Sequence, residues 1–114
     1  MSRELPDTLA SVVHKTEHSG FELYITTTFY DGPKEVFVTI AREGSTLRGM
    51  LHVISMLISV ALRAGVPWSE LSEKLRRHKF DPVGLEYESI VHAVAAAVDA
   101  CVAFYEKEKD KCLG

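Results

Sequence analysis

The sequence predicts an α+β domain in which an N-terminal antiparallel three-stranded β-meander is followed by a long buried helix, a short helix and a C-terminal helix. Three observations predict it. Apolar side chains alternate with polar ones through the first forty residues, turn signals separate those runs, and from residue 45 onward the spacing becomes helical, broken by Gly65-Val66-Pro67. With 114 residues the chain matches one average domain, so residues 1–114 are read as a single unit.

The first strand is expected over Val12–Glu17, ended by the turn signal His18-Ser19-Gly20. The second runs from Phe21 to Phe29, where Phe21, Leu23, Ile25, Thr27 and Phe29 alternate with Glu22, Tyr24, Thr26 and Thr28, so that one face goes inward. Asp31-Gly32-Pro33 signals a hairpin turn, and Glu35–Ala41 forms the third strand, with Val36, Val38 and Ile40 opposing Phe37 and Thr39. Ser45 or Thr46 caps a helix running to about Ala64, which Gly65 and Pro67 stop. Its apolar residues, from Leu47 and Met50 to Ala61 and Leu62, cover nearly the whole circumference, so both sides need cover. The sheet covers one; the last helix or a second copy of the chain covers the other. A short helix spans Trp68–Arg77, with Pro67 before it and Glu70 and Glu73 near its positive end. The last helix is expected from about Glu88 through Glu106. Its alanines between Ala93 and Ala100 permit close helix packing, and the mixed-charge tail Glu106–Lys111 reads as a frayed, solvated end.

Composition narrows the function. Hydrophobic residues at 46% and charged residues at 25% are globular proportions, and a formal net charge of −3 argues against duplex nucleic-acid binding, which rests on neutralising many phosphates. The N-terminus MSRELPDTL is polar, and the longest uncharged stretch, Gly49 to Leu62, is interrupted by His52, Ser55 and Ser59, so neither a signal peptide nor a membrane span is expected. Cys101 and Cys112 lack CxxC spacing, and a cytoplasmic setting is expected, bacterial or that of a host if the chain is phage-encoded.

The cysteines show no CxxC spacing and no GxSxG elbow is present, so neither a metal site nor a catalytic residue is assigned and no cofactor is expected. Cys101 lies among alanines and valines, where a buried, inert thiol is the ordinary outcome. Glu43 with His78 is the only pair a small hydrolase reading can name. Two segments favour anions. Arg42-Glu43-Gly44-Ser45-Thr46-Leu47-Arg48 joins a strand to a helix start, where free N–H groups, hydroxyls and the dipole attract phosphate; plain capping explains the same hydroxyls. Arg76-Arg77-His78-Lys79-Phe80 combines a cationic cluster with an aromatic ring able to stack on a base; a solvated helix end, with Phe80 turned into the core, explains it equally. The candidate ligand-binding residues are therefore Arg42, Gly44, Ser45, Thr46, Arg48, Arg76, Arg77, Lys79 and Phe80.

In this order, Leu5-Pro6, Tyr30-Asp31-Gly32, Glu35-Val36-Phe37-Val38, Arg42-Glu43-Gly44-Ser45-Thr46-Leu47, the long apolar helix, Ala64-Gly65-Val66-Pro67 and Lys79-Phe80-Asp81-Pro82-Val83-Gly84 resemble the TSCPD-type domain near the C-terminus of class II, adenosylcobalamin-dependent ribonucleotide reductases. The resemblance runs from about Leu5 to Val102. It implies no reductase activity, because the catalytic barrel, its radical cysteine and its active-site group lie elsewhere in those enzymes. The cysteine-bearing tail of that family is missing, so Cys101 and Cys112 inherit no redox role. A looser, architectural similarity links the strand-then-helix order to phage Thoeris anti-defence sponges, which bind cyclic ADP-ribose-type signals and in some cases cyclic oligonucleotides. Together these imply a non-enzymatic, homo-oligomeric binder of a nucleotide-derived ligand, of the kind an immune-signal sponge is, self-associating through the long apolar helix and the C-terminal helix. The alternative is an accessory or split-off domain of a B12-dependent ribonucleotide reductase.

Overall fold

The computed structural model describes residues 5–18, 20–41, 45–77 and 86–113. The expected meander is present, with β1 (Ala10–His18), β2 (Phe21–Phe29) and β3 (Pro33–Ile40) in the order β1-β2-β3, antiparallel throughout. Strict alternation sets the register: Thr27 of β2 stands between Val12 and Val36, and Ile25 between His14 and Val38. Leu23, Ile25, Phe29, Val36, Val38 and Ile40 are thereby buried on one face, while Val13 and Phe37 lie on the other, both more than half exposed. The β2–β3 turn needs two left-handed residues, and Asp31 (φ 57°) and Gly32 (φ 97°) supply them.

Three helices follow: α1 (Ser45–Arg63), α2 (Trp68–Arg77) and α3 (Glu86–Leu113). Gly65 (φ 105°) ends α1 in a Schellman motif, its N–H bonded to the Leu62 carbonyl and that of Val66 to the Ala61 carbonyl, each at 3.0 Å. Helix α3 lies across β1 and β2 on the buried face, with α2 against its flank. The alanines expected to seat helix against helix mainly let α3 approach the sheet, where Ala95, Ala97, Val98 and Cys101 are all buried. Tyr105 stacks on Phe29 with ring centroids 4.0 Å apart. The expected frayed tail is helical to Leu113, since Glu106, Lys107, Glu108 and Lys109 are all good helix formers.

Helix α1 departs from the expectation of a long buried helix. It packs along the β3 edge through Leu51, Ser55, Ile58 and Leu62. Two serines complete the edge: the Val36 N–H donates to Ser59 Oγ (2.9 Å), which donates back to the Val36 carbonyl (3.1 Å), and the Val38 N–H donates to Ser55 Oγ (3.1 Å). Ser55 Oγ in turn donates to the Leu51 carbonyl at 2.8 Å. On the opposite side of α1, Met50, Val53, Met56, Leu57 and Val60 are 46–60% exposed, so one apolar face is open in the single chain. By length and composition alone Thr46–Arg63 passes for a membrane-crossing helix, yet its serines bind it to β3.

Candidate functional site

The first half of α1 and strand β3 form the walls of a cleft of about 510 Å3 lined by Phe37, Thr39, Arg48, Gly49 and His52 among others. Each element contributes for a local reason. Outward positions of β3 present Phe37 and Thr39, and residues 48, 49 and 52 fall on the α1 flank beside that strand. Gly49 leaves the wall low, with nothing within 4 Å of where a Cβ would stand. Phe37 meets His52 edge-on, with ring centroids 6.4 Å apart. A cation, an imidazole and a half-exposed aromatic ring thus share one opening, a combination suited to an anionic group attached to a flat ring. Thr46 is exposed on the adjoining side of α1, where it lines an apolar groove of about 550 Å3 with Gly49, Met50, Val53 and Ile54.

Of the residues singled out in the sequence, Thr46 and Arg48 therefore sit at this helix start, while Arg42, Gly44, Lys79, Phe80 and the side chain of Ser45 lie outside the described residues. So do Glu43 and His78. Arg76 is on α2 and faces α3. Its Nε donates to Asp99 Oδ2 (3.1 Å) and to Ser72 Oγ (3.3 Å), its Nη2 pairs with the same carboxylate oxygen, and its Nη1 stands 3.1 Å from His92 Nε2. Trp68 Nε1 (2.6 Å) and Ser72 Oγ (3.1 Å) complete the shell around Asp99. Burial pushes the Asp99 carboxyl up, but the hydrogen bonds from Trp68, Arg76 and Ser72 and the charge of Arg76 outweigh it and hold the group below its ordinary range. A phosphate approaching Arg76 must compete with this carboxylate. Arg77 reaches Glu73 at 3.5 Å on the exposed face of α2.

Sequence reasoning missed the Asp99 cluster and the Phe37–His52 pair. A signal for the first existed: Asp99 is the sole acidic residue between Ile90 and Tyr105, in a stretch made mostly of alanine and valine. Cys101 is fully buried, and its thiol is pushed up by burial, a chemically quiet setting. Among the described residues no three His, Cys, Asp or Glu side chains stand close enough to hold a metal ion.

Comparison with known proteins gives these features a family. The vitamin B12-dependent ribonucleotide reductase of Rhodopirellula baltica is 35% identical over 97 residues, 83% of this chain but 9% of the reductase. Those of Streptantibioticus cattleyicolor and Streptomyces clavuligerus are 33% and 32% identical over 99 residues, 85% of this chain and 16% and 10% of theirs. This chain therefore spans a sixth or less of the relatives it matches. No solved structure is significantly similar to it. The family model described as the TSCPD domain matches residues 2–101, nearly the whole α+β unit, and the chain belongs to that family.

Proposed function

We propose that this chain is a non-catalytic interaction domain of a B12-dependent ribonucleotide reductase, contacting the reductase through the outward face of α1. The observation that carries this is the row Met50, Val53, Leu57 and Val60, spaced three, four and three residues apart and all 46–60% exposed. That spacing is the seam of helix-on-helix packing. Met56 flanks it, and His52 connects it to the open ring of Phe37. Six neighbouring apolar side chains, each about half exposed, make a contiguous patch of the kind that marks an interaction surface on a single chain. In the relatives the matching segment belongs to a far longer chain, which offers such a face a partner. The buried Cys101 and the Asp99-bound Arg76 fit a role without chemistry. The test is titration of the protein into purified B12-dependent ribonucleotide reductase by calorimetry, with Leu57→Glu as the comparison. Saturable binding weakened at least tenfold, about 1.4 kcal/mol, by the substitution supports the reading. Binding unaffected by it, or no binding, refutes it.

The Arg48, His52 and Phe37 cleft favours a second reading, a homo-oligomer that binds a nucleotide-derived ligand and holds it without turnover, as a sponge for a signal does. Thermal-shift screening with nucleotides, cyclic dinucleotides and cyclic ADP-ribose, followed by chromatography of the released ligand, tests it. A stabilising ligand recovered intact is the expected result. Product formation overturns the non-enzymatic part, and a flat screen removes the ligand.

A further inference from the structure

We infer that a second site, distinct from the α1 face and its cleft, binds a small hydroxylated oxyanion, a sugar phosphate or a hydroxy acid, where the β2–β3 turn meets the α1–α2 corner. A cavity of about 430 Å3 lies there, lined by Asp31, Lys34, Arg63, Gly65, Pro67 and Trp68 among others. Its size falls at the lower end of the ~300–1,000 Å3 usual for small-molecule sites. Two segments that carry the family resemblance in the sequence are far apart in the chain and meet here, one side formed by Asp31-Gly32 and the other by Ala64-Gly65-Val66-Pro67.

The donors are arranged for an anion. Arg63, its side chain 35% exposed, lines the cavity and meets Glu35 through Nη1 at 3.6 Å, while its buried Nε is one of two side-chain atoms without a hydrogen-bond partner among the described residues. A guanidinium carries five donors, and one carboxylate contact of that length leaves capacity for an oxyanion. Lys34 brings a second positive charge to the same cavity, its Nζ donating to the Asp31 carbonyl at 2.7 Å. The α2 helix supplies a third contribution. The Pro67 carbonyl accepts from the Glu70 and Leu71 N–H groups, so those of Trp68 and Ser69 stand ahead of the first helical bonds, at the positive end of the dipole. Arginine, ammonium and helix start together match phosphate or carboxylate oxygens.

The acidic neighbours define the rest of the ligand. Asp31 lines the same cavity and Glu35 lies beyond Arg63, so the site is no general sink for negative charge. A ligand with one anionic head and hydroxyl groups fits, the hydroxyls donating to Asp31 while the head takes Arg63 and Lys34. Left-handed backbone at Asp31, Gly32 and Gly65 fixes both loops that carry these groups.

Amide and side-chain NMR titration of the full chain with inorganic phosphate, ribose 5-phosphate and malate, at constant ionic strength, tests the site. The expected result is saturable shifts at Gly32, Gly65, the Trp68 backbone amide and Arg63 Nε–H with at least one probe, weakened tenfold or more in both Arg63→Gln and Lys34→Gln. Ribose 5-phosphate binding more tightly than malate assigns a phosphate head, and the reverse assigns a carboxylate. Tighter binding of either than of inorganic phosphate reports the hydroxyl contacts. Three results overturn the proposal: no saturation by any probe up to about 10 mM, where even millimolar binding is visible; shifts centred on Arg76 and Arg77; or unweakened binding by either variant while it remains folded.

Discussion

Asp99 shows how one carboxylate joins two helices. It receives the Trp68 indole, the Ser72 hydroxyl and Arg76, and so fixes α2 on α3. Because its folded pKa lies below the ordinary ~3.9 of an unfolded Asp, its contribution is present above pH ~4 and lost as pH falls through the folded value. The side chain is 38% exposed, so solvent screening reduces the effect. Asp99→Asn is expected to cost about 1 kcal/mol at pH 7, and the gap to wild type should narrow toward pH 3 as the wild-type carboxyl protonates. Urea unfolding at both pH values checks this; an equal loss at both contradicts the charge-based account. Cys101 makes the opposite case. Its alanine and valine neighbours in the sequence already indicate an inert thiol, and in Cys112→Ser protein a thiol reagent should label it only at the rate of unfolding. The partners of Asp99 lie 23 to 31 residues away, so its exceptional polarity was legible while its role was not.

At the scale of elements, the serines of α1 do what a fourth strand would do. An edge strand exposes unpaired backbone groups, and Ser55 and Ser59, one helical turn apart, meet those of Val38 and Val36. Ser55 is 2% exposed, so Ser55→Ala leaves the Val38 N–H buried and unsatisfied, and a loss of about 1–3 kcal/mol is expected. Ser59 is only partly buried; water replaces its hydroxyl more readily, and Ser59→Ala should cost about 0.5–1.5 kcal/mol. Chemical denaturation of both variants measures the ordering, and a larger loss at Ser59 contradicts it. The strands were legible because a period of two admits one inward face, and Asp31-Gly32 and Gly65 marked their breaks for steric reasons. Which side of α1 meets the sheet was not, since an all-round apolar helix offers periodicity no preferred face. The serines that decide it looked like interruptions in an apolar run. For the candidate ligand residues the sequence shows less: Thr46 and Arg48 line two different openings, and Arg76 already has a carboxylate partner that only the folded chain brings to it.

For the whole molecule the unusual feature is that α1 is apolar on two opposite sides and the fold uses one. Leu51, Ile58 and Leu62 are 2–4% exposed against the sheet, whereas their neighbours Met50, Leu57 and Val60 are 57–60% exposed. Adjacent residues on one helix therefore separate folding from association. Ile58→Ala removes methyl groups from a packed core and should cost about 2–5 kcal/mol of stability. Leu57→Glu, one position earlier, should change the unfolding free energy of the dilute monomer by no more than about 0.5 kcal/mol, because its side chain has little packing to lose. It should instead abolish anything the outer face does. If that face takes a partner, including a second copy, the wild-type melting temperature rises with the concentration of that partner, because only the folded state binds it. The same series with Leu57→Glu should be flat. Denaturant unfolding of both variants at low micromolar concentration, and melting of wild type and Leu57→Glu with increasing chain or reductase, measure the two halves separately. A wild-type melting temperature independent of both leaves the outer stripe of α1 without a partner, and a core-sized stability loss in Leu57→Glu shows that the stripe belongs to the fold itself.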